Sequence, residues 1–262
     1  MNSDRLRQLL VVVGIVFALA LNGAANALPI NGQTTAEISD RFRVFVVPAG
    51  YVFAIWGLIY LGQLGFLFQA LRPSGLEDPL LRRIGLWPAL VGLLNGIWIL
   101  LWHYEVFAAT VVVMVALLGS LIVLYRRAGF ERTARPGSGV SAADRWLVQV
   151  PFSLYLGWIT VATIANVAAV GNWAGVSTFG AAPELLAAVV LGVGLAIASW
   201  VMLRTADVTY AGVIIWAHAG IIVKEASTPW VPWIAGLTVA VMVVLILAAF
   251  ARRNPLTLRP VD

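Results

Sequence analysis

Apolar residues in this chain come in long runs separated by short polar knots. A bilayer core of about 30 Å needs roughly 20 such residues in helix, because only an internally hydrogen-bonded backbone is tolerated there. Eight runs have that character, at about 8–28, 44–70, 85–102, 106–125, 146–170, 184–203, 209–224 and 230–251. The pattern predicts an all-α, polytopic transmembrane bundle of about eight spans. Residues 84–125 would form a single helix about 60 Å long, twice the bilayer, so they must fold back. His103-Tyr104-Glu105 is the only polar break available for that turn. The first run follows Arg5 and Arg7 like a signal peptide, but it is long and lacks a small-residue cleavage site, so a retained helix is expected. The seventh run is short for a crossing. Pro183-Glu184 predicts the start of the sixth helix, and Asn254-Pro255 the end of the eighth. The longest hydrophilic stretch, 126–145, reads as a loop. No internal repeat is evident.

Composition agrees with the pattern. Of 262 residues 61% are apolar and 11% charged, against about 25% charged in soluble domains. Ordinary cytosolic enzymes, disordered chains and nucleic-acid binders are excluded. The net charge of +5 comes from Arg punctuating apolar runs, which marks topology. With the N-terminus in the cytoplasm, 14 Arg fall on the cytoplasmic side and Arg41, Arg43 and Lys224 on the other. That asymmetry predicts an even number of spans with both termini cytoplasmic. There are no cysteines, so disulfides and thiolate chemistry are excluded.

Three stretches carry candidate chemistry. The loop 29–48 leads into Pro48-Ala49-Gly50-Tyr51-Val52-Phe53-Ala54-Ile55-Trp56, and Trp56 and Tyr60 share a helix face. In the third span Asn95, Trp98 and Trp102 lie on one stripe. A buried amide must face other helices or a cavity there, so interhelical bonding and ligand contact both stand. In the fifth span Tyr155, Trp158, Ala162 and Asn166 form one continuous face. Aromatic rings, a small residue and an amide suit a flat aromatic ligand, with small-residue helix packing as the competing reading.

Tyr155-Leu-x-Trp158-x-Thr-x-Ala162-Thr-x-x-Asn166 resembles the fifth-helix signature of the TspO/MBR family, the tryptophan-rich sensory proteins and mitochondrial translocator protein. Asn95-x-x-Trp98 with an aromatic at 102 is similar to its third helix, and Pro48 through Tyr60 to the start of its second. The resemblance covers about residues 6–171. It divides the chain into a TspO-like five-helix membrane domain at 1–171 and an additional three-helix membrane segment at 172–262. Tyr51 stands where the family usually has tryptophan. The resemblance implies binding of a tetrapyrrole such as porphyrin or haem, or of a sterol-like lipid, in the five-helix cavity, for sensing or transport. Trp158, Ala162, Tyr155, Asn166, Asn95, Trp98, Trp56 and Tyr51 are the ligand-binding candidates. No cofactor is required; a bound porphyrin or haem is the expected passenger. The bilayer is the expected partner, nucleic acid is not, and a homodimer is left open.

Other polar residues support alternatives. Asp207 and His218 suggest a proton-coupled carrier or channel built from the last three helices. A haem axial ligand is a second use for His218 or His103; pairing with an amide or carbonyl is simpler. Asp207, three residues after Arg204, reads as half of a surface ion pair. Lys224 reads as an interfacial residue, not a retinal attachment point. A porphyrin-degrading enzyme ranks last, because no catalytic triad, carboxylate pair or metal cluster emerges. Of the 11 Trp, positions 87, 146, 173, 230 and 233 fall near span ends, where indoles favour the interface. Trp200 and Trp216 have no evident role.

Overall fold

The computed structural model describes residues 3–28, 30–130, 140–176 and 182–253. The described residues form a helical bundle without strands. Its helices are α1 (Ser3–Ala27), α2 (Thr35–Asp40), α3 (Ile55–Leu71), α4 (Pro79–Ile84), α5 (Trp87–His103) and α6 (Phe107–Ala128). These are followed by α7 (Val150–Trp173), α8 (Pro183–Thr205), α9 (Val208–Lys224) and α10 (Val231–Arg253). Short turns at Ala142–Asp144 and Arg145–Gln149 run straight into α7.

All eight expected spans exist as helices, and six are long and apolar enough to cross a membrane. The protein is an integral, multi-pass membrane protein. The other two helices, α5 and α9, have 17 residues each, a length of about 25 Å. The predicted reversal lies at Tyr104–Val106, where Glu105 takes a left-handed conformation (φ 61°). Pro183 and Glu184 open α8 as expected. Asn254-Pro255 and residues 131–139 of the long loop lie outside the described residues.

One boundary differs from the sequence pattern. The second span was expected from residue 44, but α3 begins at Ile55 after a 3₁₀ turn over Gly50–Ala54. Pro48 disfavours helix at the residue before it, and Val44 through Val47 supply β-branched residues that suit extended chain. Phe45, Val46 and Val47 are nevertheless buried. Phe45 and Val46 pack with Ala187, Leu191, Ile221, Val231 and Ala235 of the last three helices. An apolar run that mimics a helix turn is in fact a strap across α8, α9 and α10.

Side-chain bonds fix the two ends of the bundle. At one end Arg7 donates to the Leu76 carbonyl and Arg82 pairs with Asp4 at 2.7 Å. At the other, Arg41 pairs with Glu105 at 2.9 Å and Lys224 with Asp40 at 3.2 Å. The Arg-poor end therefore carries the first loop, as the charge pattern requires. Lys224 is the last residue of α9.

Helices α1 and α5 approach to backbone contact. A Cβ on Gly14 would lie 2.6 Å from the Ala89 carbonyl oxygen, and one on Gly92 would strike the Gly14 backbone. Both contacts are backbone, so nothing can rotate aside. Gly92→Ala is expected to cost about 2 kcal/mol by forcing the helices apart. Thermal unfolding in detergent measures this; an unchanged midpoint would contradict the close approach.

Candidate functional site

Helices α1, α3, α5 and α7, with α2 and the turn before α3, line two small cavities. The first, about 20 Å³, is lined by Trp56, Tyr60, Gln63, Asn95 and Tyr155 with apolar residues of α1 and α5. The second, about 40 Å³, is lined by Trp98, Trp102, Trp158, Ala162 and Asn166, and by Thr35 and Ser39 of α2. An aromatic partition stands between them. Trp56 stacks on Tyr60 (5.6 Å, 24°) and meets Trp158 edge-on at 6.1 Å. Phe53 meets Trp158 from the other side at 5.6 Å.

The helical registers explain the grouping. Tyr155, Trp158, Ala162 and Asn166 recur along one face of α7, so all four reach the cavities. Asn95 and Trp98 do the same from α5, and Trp98 stacks on Trp102 at 5.4 Å and 16°. Trp56 reaches the first cavity from α3. Of the eight candidates only Tyr51 lies away from both. It is half exposed and packs edge-on against Trp216 at 5.5 Å. Gln63, not among the sequence candidates, also lines the first cavity from α3, a helix whose one other amide side chain is Gln69. A Gln between Leu61 and Leu64 was the available signal.

The polar atoms around these cavities are the unusual feature. Tyr60 Oη, Gln63 Nε2 and Asn95 Nδ2 are buried without a hydrogen-bond partner beside the first cavity. Trp98 Nε1, Trp158 Nε1 and Asn166 Oδ1 are in the same condition beside the second. Each such group costs about 1–3 kcal/mol, and native structures hold few of them. Partial satisfaction shows how specific the remainder is. Asn22 Nδ2 donates to Asn95 Oδ1 at 2.6 Å, and Asn166 Nδ2 to Thr110 Oγ1 at 3.0 Å. Each amide is thus anchored by one end and presents the other. The set is rich in donors, so it fits a ligand carrying acceptors on an aromatic body. At 20 and 40 Å³ the cavities hold a few waters at most, so a larger ligand must part the Trp56–Trp158 partition.

The first loop closes the site. Helix α2 is fixed by a capping box: the Glu37 amide donates to Thr34 Oγ1, and the Thr34 amide donates to Glu37 Oε2 at 2.7 Å. Trp102 Nε1 points at the Thr35 carbonyl, and Phe42 packs on Trp102 and Phe107. The Thr34 amide and then its hydroxyl hold the Glu37 carboxyl below the usual glutamate range. A lowered pKa stabilises the cap above that range and loses the effect as pH falls through the lowered value. Amide-exchange protection of Thr35–Asp40, corrected for intrinsic rates, is expected to fall in acid, and Glu37→Gln to make it insensitive to pH. Acid-independent protection in the native chain would contradict the cap.

The remaining polar residues are placed as follows. His103 and His218 are both buried, and each directs Nδ1 at its own i−4 carbonyl, Ile99 or Ile214, at 2.8 Å. A carbonyl only accepts, so Nδ1 carries the proton and Nε2 the lone pair; both Nε2 atoms lack partners. Neither histidine lines the two cavities. Asp207 corrects the expected surface pair with Arg204. It is buried, and its carboxylate accepts from Tyr125 Oη, Ser153 Oγ and the amides of Thr209 and Tyr210. The reason is Ala206, which ends α8 in a left-handed conformation (φ 49°) and turns the chain inward. Asp207 and His218 are 11 residues apart on α9, about 16 Å along the axis, and their partners differ. Trp216 gains a role: its Nε1 donates to the Val52 carbonyl at 3.0 Å, tying α9 to the turn before α3.

The sequence matches a family model described as TSPO-like protein over residues 8–250. The chain belongs to the TSPO-like protein family. The match runs across residue 171 into the last three helices, so family membership is carried by all eight long helices. No curated protein and no solved structure matches the chain. In this TSPO-like protein the family resemblance at 155–166 and the geometry of the two cavities coincide on the same side chains.

Proposed function

We propose that this TSPO-like protein binds a hydrophobic aromatic small molecule, a tetrapyrrole (porphyrin or haem) or a sterol-like lipid, between the helices of its five-helix part, for sensing or transport. The observation that carries the reading is the set of six unpartnered polar atoms beside two cavities whose walls meet at the Trp56–Trp158 contact. Such atoms are costly in a resting protein and are repaid by a ligand that pairs them. The aromatic walls supply stacking surface, and the first loop keeps water and lipid headgroups out. The charge asymmetry supports cytoplasmic termini, which puts the loop and the site mouth on the opposite face.

Protoporphyrin added to the purified protein is expected to quench tryptophan fluorescence saturably. Ala162→Phe, which fills the second cavity from α7, is expected to weaken that binding about tenfold, a loss of about 1.4 kcal/mol. Equal binding in Ala162→Phe would remove the assignment of the site. The carrier reading gains no support from the distance between Asp207 and His218.

A further inference from the structure

A larger depression lies outside the five-helix site. Helix α8 packs on α10 and only lightly on α7, and it stands away from α6. The gap is a lateral groove of about 860 Å³, within the 300–1,000 Å³ range of small-molecule sites. Its walls are apolar: Leu118 and Ile122 from α6, Leu156 and Ile164 from α7, Ile197 and Val201 from α8. The hydroxyls on its floor are spent. Thr160, Thr163 and Thr205 each donate to a carbonyl of their own helix, and Tyr125 donates to Asp207.

Two charges remain, and both sit at one end. Arg126 is near the end of α6 and Arg204 near the end of α8, and both line the groove. Among the described residues neither forms a salt bridge. Arg204 lies over the ring of Trp200, 6.0 Å from its centroid, and Trp200 is itself a groove residue and 62% exposed. The acid nearest to Arg204 in sequence, Asp207, faces inward on four donors. From the arginine pair the groove runs toward the bilayer centre for about 12 Å, the rise from Arg126 back to Leu118. An apolar channel at membrane depth, ending in two guanidiniums without a salt bridge among the described residues and in an exposed indole, matches an acyl chain below a phosphate.

We infer that the groove between α6 and α8 is a binding site for an anionic phospholipid, with its phosphate between Arg126 and Arg204 and an acyl chain along α7. This site is separate from the five-helix cavities and does not depend on what they bind. It also accounts for Trp200, which anchors the headgroup end.

The test uses the full chain in detergent with phosphatidylglycerol or phosphatidylcholine added, read by melting temperature. Phosphatidylglycerol is expected to stabilise the native chain more than phosphatidylcholine. Arg126→Gln with Arg204→Gln should weaken the phosphatidylglycerol effect about thirtyfold in apparent affinity. Arg5→Gln with Arg145→Gln removes the same charge from exposed positions and should leave it. Ile197→Trp narrows the groove from an exposed position on α8 and should weaken binding with both arginines present. Equal stabilisation by the two lipids, or by inorganic phosphate alone, would overturn the site, as would equal losses in the two double variants. Loss of protoporphyrin binding in the Arg126/Arg204 variant would assign the groove to the porphyrin and overturn the lipid.

Discussion

Trp158→Phe is expected to weaken protoporphyrin binding about tenfold while leaving the ligand-free protein about as stable as before. The two effects follow from one atom. Trp158 Nε1 is a buried donor with no partner, and it contributes nothing to the resting fold. Removing it relieves a desolvation cost of about 1–3 kcal/mol. The smaller ring gives back a similar amount through lost packing against Phe53 and Trp56. A bound ligand that accepts from Nε1 loses that bond outright. Trp102→Phe is the useful contrast, because its Nε1 already points at Thr35 of the first loop; it should loosen α2. Trp233, 78% exposed, serves as the neutral position. Titration of tryptophan quenching, alongside thermal unfolding without ligand, separates the outcomes. A large loss of stability in Trp158→Phe with unchanged affinity would mean the indole is structural.

Asp207→Ala is expected to be the most destabilising single change outside the helix contacts, at about 3 kcal/mol. Loss of the cap on α9 accounts for about 1 kcal/mol. The buried hydroxyls of Tyr125 and Ser153 lose a charged acceptor, each worth about 1 kcal/mol or more. Because Tyr125 belongs to α6 and Ser153 to α7, this carboxylate joins the five-helix part to the last three helices. Asp207→Asn keeps the capping oxygen but puts an NH2 donor where Tyr125 and Ser153 had their acceptor, so its cost should be about 2 kcal/mol, the capping share being spared. Unfolding midpoints in detergent for the two variants give the comparison. Midpoints equal to that of the native chain in both variants would show that the four bonds carry no stability, and the junction would then rest on apolar packing alone.

Several parts of this arrangement were legible in the sequence because they depend on local spacing. A four-residue repeat places side chains on one helix face whatever the neighbours are. Tyr155, Trp158, Ala162 and Asn166 could therefore be grouped before any packing was known, and Asn95 with Trp98 likewise. The reversal at His103-Tyr104-Glu105 followed from bilayer thickness alone. Of the five span-end tryptophans, Trp146, Trp173, Trp230 and Trp233 are more than half exposed and Trp87 packs against the core, whereas Trp98, Trp102 and Trp158 are buried.

Other parts were not legible because they depend on which elements meet. Val44 through Val47 has the composition of a helix turn in a membrane, yet Pro48 and the groove among α8, α9 and α10 make it a strap. Asp207 looked like a partner for Arg204 because helix spacing brings residues i and i+3 together; one left-handed residue, Ala206, sends the two side chains in opposite directions. Gln63 did not stand out in the sequence, because only the packing of α1 and α5 against α3 puts it on a cavity.

Local composition was enough to show a bundle of membrane helices, where most of them begin and end, which end is rich in arginine, and which faces carry aromatic and amide groups. These follow from bilayer thickness, helical pitch and the cost of burying charge. Only the tertiary structure decided that six polar atoms on those faces stay unpaired, that the space between them is two small cavities behind an indole partition, and that α8 stands off α6 to leave a groove. Those outcomes depend on how closely helices approach, and approach is set by contacts such as Gly14 with Gly92, between residues far apart in the chain.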